Sequence, residues 1–299
     1  VDKTGLIQYT NSAVQPLQKY ICVSRPRRFG KSMAANMLTA YYSRECDSHE
    51  IFDKLKIAEA DSYEKKMNQY DTIFVNMQEF LSQSSSMDEM LDFLRKSILW
   101  DLLETYPDFS YFNRDNLART MQDIYQKTHI PFIIIIDEWD CIFREYKEDY
   151  EAQAKYLDFL RDFLKDKVYI HLAYMTGILP IKKYGTHSAL NMFDEFSMTN
   201  PGPLAEYVGF TEAEVRKLCE TYGRNLEEMK EWYDGYHFIN AESVYSPRSV
   251  VTAVLTGVCD SYWNKTETFE ALRIYIDMNF EGLKDDVLSM LAGERVPVN

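Results

Sequence analysis

The sequence predicts an α/β fold, a three-layer arrangement around a parallel sheet, followed by a smaller α-helical subdomain. Three observations predict it. Apolar, strand-like runs alternate with segments of helical spacing through the first two-thirds of the chain. The run Pro131-Phe132-Ile133-Ile134-Ile135-Ile136 shows no apolar–polar alternation, which fits a central parallel strand covered on both faces. A Gly30-Lys31-Ser32 turn joins a short apolar strand to a helix.

The elements follow in order. Residues 19–24 read as a short buried strand, and an Arg-Pro-Arg-Arg-Phe-Gly loop follows it. From Lys31 to Tyr42, Met33, Met37, Leu38 and Tyr41 recur at helical spacing. Thr72 to Met77 reads as a second strand. Ser86 to Tyr106 is an amphipathic helix with a broad apolar face that includes Met90, Leu94, Ile98 and Leu102. A further helix is expected from about Asn116 to Lys127, and another near Ala152 to Lys165. Val168 to Met175 and Phe193 to Met198 read as the fourth and fifth strands. After Pro203 the alternation stops. Thr211 and Glu214 have the spacing of a capping box, Ser246-Pro247 opens a helix with proline at its first position, and the remainder reads as helical. The Asn200-Pro201-Gly202-Pro203 stretch is the natural joint, which divides the chain into a core at 1–203 and a helical subdomain at 204–299.

Composition narrows the function classes. With 46 % apolar residues, 22 Tyr and 17 Phe in 299 residues, the chain has ample material for a packed core. No apolar run approaches the roughly 20 residues that span a bilayer, and the start lacks a signal-peptide pattern. The opening Val1-Asp2-Lys3-Thr4 reads as a trimmed terminus. Five scattered cysteines without a C-x-x-C pair favour reduced thiols and a cytoplasmic location. The five histidines are equally scattered, which argues against a dedicated transition-metal site. A net charge of −14 disfavours nucleic acid as a partner of this segment. The one dense basic cluster is Arg25, Arg27, Arg28 and Lys31.

That cluster sits where phosphate chemistry needs it. Gly30-Lys31-Ser32 matches the second half of G-x-x-x-x-G-K-[ST], while Arg25 stands where the first glycine would be and Pro26 stiffens the loop. Gly30 lets the backbone approach phosphates, and loop amides from Arg25 through Phe29 together with the next helix N-terminus point N–H groups at an anion. Lys31 places an ammonium at the terminal phosphates, and Ser32 offers a hydroxyl to Mg²⁺. The three arginines either serve the anion or form a solvated basic turn. Asp137 ends the isoleucine strand at the carboxyl edge of the sheet, where ligands of open α/β sheets bind, and there it can hold Mg²⁺. Glu138 follows, placed to polarise a water for in-line attack, and Asp140 can orient the pair. Thr176, at the end of the next strand, either senses the terminal phosphate or simply closes the strand before Gly177. Lys182, Lys183, Arg216, Arg224 and Arg248 are candidate charge stabilisers. The long interval between Lys31 and Asp137 suits a sheet with an extra strand between the loop strand and the acidic strand.

The strings Val1-Asp2-Lys3-Thr4, Ser24 through Ser32, Ile136-Asp137-Glu138-Trp139-Asp140 and Trp232-Tyr233-Asp234-Gly235-Tyr236 resemble, in order along nearly the whole chain, the AAA-ATPase-like family of bacterial proteins. The resemblance implies an ATP-binding P-loop NTPase core with additional-strand (ASCE, AAA-like) topology and a helical lid. It also implies that members often continue into a C-terminal nuclease-like PD-(D/E)XK domain, a partner that lies outside these residues. Trp139 stands where the family commonly has Tyr, and Ser32 where Thr is commoner. The Trp232–Tyr236 string reads as core of the helical subdomain, with Gly235 ending a helix. The leading expectation is an ATP hydrolase using Mg²⁺; a slow nucleotide switch gating an attached domain is the second. A GTPase is disfavoured, because no N-K-x-D motif is present. Oligomerisation is left open.

Overall fold

The computed structural model describes residues 1–14, 18–181, 190–198, 200–234, 236–238 and 241–262, with positions 285, 288 and 289. Its strands are β1 (Tyr20–Ser24), β2 (Asp71–Asn76), β3 (Phe132–Asp137), β4 (Ile170–Gly177), β5 (Asp194–Phe196), β6 (Phe210–Thr211), β7 (Tyr236–Phe238) and β8 (Ala241–Tyr245). Helices α1 (Gly5–Ala13), α2 (Lys31–Tyr42), α3 (His49–Phe52), α4 (Tyr63–Lys66), α5 (Met77–Ser82) and α6 (Met87–Thr105) precede the isoleucine strand or its partner helix. They are followed by α7 (Leu117–Thr128), α8 (Cys141–Glu145), α9 (Tyr150–Leu164), α10 (Glu212–Tyr222), α11 (Leu226–Tyr233) and α12 (Pro247–Thr256).

The first five strands form one sheet in the order β2-β3-β4-β1-β5, with every neighbouring pair parallel. The extra strand expected between the loop strand and the acidic strand is β4. Side-chain alternation divides the core between the two faces. Tyr20 and Cys22 of β1 and Phe132, Ile134 and Ile136 of β3 pack with α6, α7 and α9. Ile21, Val23, Ile133 and Ile135 pack on the other face with α1 and α2. Both faces of β3 are therefore dry, which is why its sequence is an unbroken isoleucine run.

The helices begin where side chains satisfy their first amides. Ser86 accepts from Glu89 N, Asn116 from Arg119 N and Asp149 from Ala152 N, at 3.2, 2.9 and 2.9 Å. Helix α2 has no such cap: Gly30 precedes it in a left-handed conformation, φ 89°.

The C-terminal part differs in one respect from a purely helical expectation. Strands β6, β8 and β7 form a three-stranded antiparallel sheet against which α10 packs, with α12 packed on α10. Val215, Cys219, Met229, Tyr245 and Val250 make a separate small core there. Leu204, Val208 and Val244 pack instead with Leu6 and Phe29 of the larger body, so burial continues past Pro203. Tyr233 is buried as expected of the Trp-Tyr-Asp-Gly-Tyr string, but Trp232 is exposed, and Gly235 lies outside the described residues. The capping box is present: Thr211 accepts from Glu214 N at 3.4 Å and Glu214 accepts from Thr211 N at 2.8 Å. Thr211→Ala is expected to cost about 1 kcal/mol, read as a lower midpoint in urea unfolding with an unchanged slope.

Candidate functional site

Parallel pairing brings the carboxyl ends of four strands to one edge. Ser24 lies opposite Gly177, Val23 opposite Thr176, and Asn76 opposite Asp137. This edge opens on a cleft of about 2050 Å³ between the sheet, the start of α2, the N-terminal residues Val1–Thr4 and the face of α10 and α12. The volume exceeds the ~300–1,000 Å³ of an ordinary small-molecule pocket.

The loop after β1 wraps onto α2. Arg28 and Gly30 both take positive φ, 70° and 89°, and a Cβ at Gly30 would meet nothing within 4 Å. The loop is anchored by Phe29, which is buried in the core, while Arg27 and Arg28 line the cleft. With no side-chain cap, the first amides of α2 remain available to an anion. Ser32 is exposed in that first turn.

Lys31 is only 4 % exposed. Its Nζ donates to Pro26 O at 3.0 Å, so the ammonium bridges the base of its own loop. Burial lowers its pKa, and the carboxylates of Glu138, Asp140 and Asp137 oppose that shift. The lysine is thus a desolvated cation hydrogen-bonded to a carbonyl in the field of three carboxylates, and a phosphate would be a stronger partner for it.

Asp137 is buried at the end of β3 and lines the cleft. Its Oδ1 accepts from the Thr176 hydroxyl and from Glu138 N. Oδ2 has no hydrogen-bond partner among the described residues, which leaves one carboxylate oxygen for a hard cation. Thr176 therefore orients Asp137; it does not line the cleft itself.

Glu138 has φ 56°, a left-handed backbone that costs a non-glycine residue about 1–3 kcal/mol. Its carboxylate pairs with the Arg144 guanidinium from α8. Arg144 is almost fully buried and its Nε lies 3.6 Å from Asp140 Oδ2. That same Asp140 oxygen accepts from Ile178 N at 3.1 Å and Leu179 N at 2.9 Å, which fixes the turn after β4. The acidic pair and Arg144 are thus one connected unit. Its packing is tight: a Cβ at Gly177 would lie 2.5 Å from Trp139 Nε1, and Trp139 is fully buried. Gly177→Ala is expected to destabilise the chain by about 1–3 kcal/mol, read as a lower thermal midpoint.

Arg25 departs from its expected place. It is fully buried and does not line the cleft. Its Nη1 donates to Ser24 O and Phe196 O at 3.0 and 2.8 Å, and burial brings its pKa down to about 10. The side chain ties β1 to β5, and Arg25 N is engaged by Gly177 O at 3.1 Å. The structure thus places Arg25 outside the cleft lining, with Nη1 and its amide on backbone carbonyls. Pro26 likewise stays outside the cleft lining, and its carbonyl holds Lys31.

Of the candidate charge stabilisers, Arg248 lines the cleft. Arg216 pairs with Glu212 at 2.8 Å and Arg224 donates to Val254 O at 2.9 Å, both away from it. Lys182 and Lys183 lie outside the described residues. Two contributors escaped the sequence reading. Asn76 lines the cleft beside Asp137, its side chain accepting from Gln78 N at 3.1 Å. Arg144 was signalled only by its position four residues after Asp140 on a short helix.

The family model described as "Predicted AAA-ATPase" matches residues 1–186, more than half of the chain. An uncharacterized protein in the vnfD 5′ region of Azotobacter chroococcum mcd 1 is 22 % identical over 282 residues, covering 90 % of this chain and 50 % of that protein. The chain thus spans about half the length of this curated relative. Among solved structures, the Aeropyrum pernix ORC2 protein in ADPNP–ADP complexes aligns with a TM-score of 0.40 and 11 % identity, over 73 % of this chain and 50 % of that one. The Aeropyrum pernix ORC1 protein in complex with DNA aligns with a TM-score of 0.36 and 12 % identity, over 73 % of this chain and 48 % of that one. No helix among the described residues is long and apolar enough to cross a membrane.

Proposed function

The chain belongs to the predicted AAA-ATPase family, and from that premise we propose that it binds ATP with Mg²⁺ in the cleft and hydrolyses it. The observation that carries the reading is the desolvated Lys31 ammonium beside Asp137, Glu138 and Asp140, at the uncapped start of α2.

In this reading the amides of the first turn of α2, with Arg27 and Arg28, receive the phosphates. Lys31 exchanges Pro26 O for a terminal phosphate oxygen. Ser32 Oγ and Asp137 Oδ2 would hold Mg²⁺, which when bound neutralises charge on the phosphate oxygens. Glu138 accepts the proton of the attacking water, provided its carboxylate has left Arg144. Thr176 and Asp140 position the two acids. Arg248 approaches from the lid side of the cleft. The division into a core at 1–203 and a lid at 204–299 is part of this proposal, with the working seam nearer α10, since Leu204 and Val208 pack with the larger body.

The Glu138–Arg144 pair favours a second reading as well. If the pair opens only when a partner or neighbouring domain demands it, the chain is a slow nucleotide switch rather than a steady hydrolase. A cytoplasmic location belongs to the same proposal through the cysteine pattern, and an attached nuclease-like domain through the family resemblance.

Binding is tested first, by calorimetry with a non-hydrolysable ATP analogue. Saturable one-site binding that weakens when EDTA removes Mg²⁺ is expected. Equal affinity with and without Mg²⁺ would remove Ser32 and Asp137 from the metal assignment.

A further inference from the structure

Strand β2 is an edge of the large sheet, and its outer side borders a second concavity of about 390 Å³ against α6. Asp71 N donates inward to Pro131 O at 3.2 Å, so the N–H and C=O groups of Thr72 and Phe74 point outward. Among the described residues no backbone hydrogen bond reaches them. Pairing on that side begins and stops after one residue. Tyr70 N donates to Tyr42 O and Arg44 N to Tyr70 O, both at 3.1 Å, which makes Ser43 and Tyr70 an isolated parallel bridge. Cys46 N then turns back to Ser43 O, and the chain leaves the edge.

We propose that this groove docks a basic, extended segment of a partner protein, which adds to the sheet as a strand parallel to β2 and continues the ladder that Ser43 begins. Charge complementarity selects the occupant. The groove's one arginine, Arg44, is already neutralised by Asp71 at 2.5 Å, and Tyr106 donates to the other Asp71 oxygen at 2.6 Å. Exposed Glu45, Asp101 and Glu104 line the rest of the groove, with no ion pair among the described residues. Apolar anchoring is available too. Phe74 is 38 % exposed on the strand and lines the groove. The proposal does not rest on the nucleotide reading.

The test is fluorescence anisotropy on the full chain, with a labelled peptide of about ten residues alternating lysine and valine. Binding is expected, weakening as salt is raised. The same peptide N-methylated at alternate residues should bind at least about tenfold more weakly, because the ladder cannot form. Asp101→Lys with Glu104→Lys, both on the solvent-exposed face of α6, should cost a similar factor and transfer preference to a glutamate–valine peptide. Absence of binding overturns the proposal, and so does equal binding of the N-methylated peptide, which would mean charge attraction alone. A concentration-dependent dimer of the chain that Phe74→Pro breaks, with no peptide competition, would overturn it in favour of self-pairing at this edge.

Discussion

Glu138→Gln is expected to reduce sustained phosphate release by about 10²–10⁴-fold while ATP affinity changes little. The amide keeps the shape of the carboxylate but cannot accept the proton of the attacking water. It also dissolves the ion pair with Arg144, so Arg144 falls back on Asp140, 3.6 Å from its Nε. Because in the proposed mechanism that pair must open before Glu138 acts, the glutamine variant is expected to retain nucleotide rather than lose it. Turnover and equilibrium binding measured on one preparation check both halves. Unchanged turnover would remove Glu138 from the mechanism.

Lys31→Ala is expected to have the largest effect on affinity, at least about 100-fold, read by the same calorimetric titration. Two changes act together. The ammonium that meets the terminal phosphates is gone, and Asp137 is left facing the anion without it, while Glu138 and Asp140 keep only Arg144. Alanine is a good helix former, so the start of α2 persists and the loss is electrostatic. Retained affinity would mean that the amides of α2 and the loop arginines suffice.

Much of this was legible before the structure. Ile133 to Ile136 announced a strand dry on both sides, and Gly30-Lys31-Ser32 after a short apolar run announced the loop and helix, because both signals are local. An extra strand does lie between β1 and β3, but it is β4, from beyond Asp137, whereas the strand within the Lys31–Asp137 interval, β2, takes the edge next to β3. What was not legible depends on distant partners. Arg25 looked like a phosphate ligand because its neighbours are arginines, yet Phe196 O, reached only when β5 pairs with β1, takes its guanidinium. Arg144 gave no sign of pairing with Glu138, since the left-handed backbone at Glu138 that turns the carboxylate toward α8 is set by the strand end, not by residue type. The small sheet of β6, β7 and β8 escaped notice because its strands are two to five residues long, too short for alternation to register. Phe29 read as one more loop residue, and is in fact the plug that fixes the loop to the core.

The strand-end acids and the loop are proposed to hydrolyse ATP together, not merely to hold it. A time course of phosphate release by the wild-type chain, with ATP in large excess and Mg²⁺ present, tests it most directly. The account predicts linear release through many turnovers per chain, abolished by EDTA. A burst of about one phosphate per chain followed by a plateau would contradict it, and would leave the nucleotide switch as the function of this site.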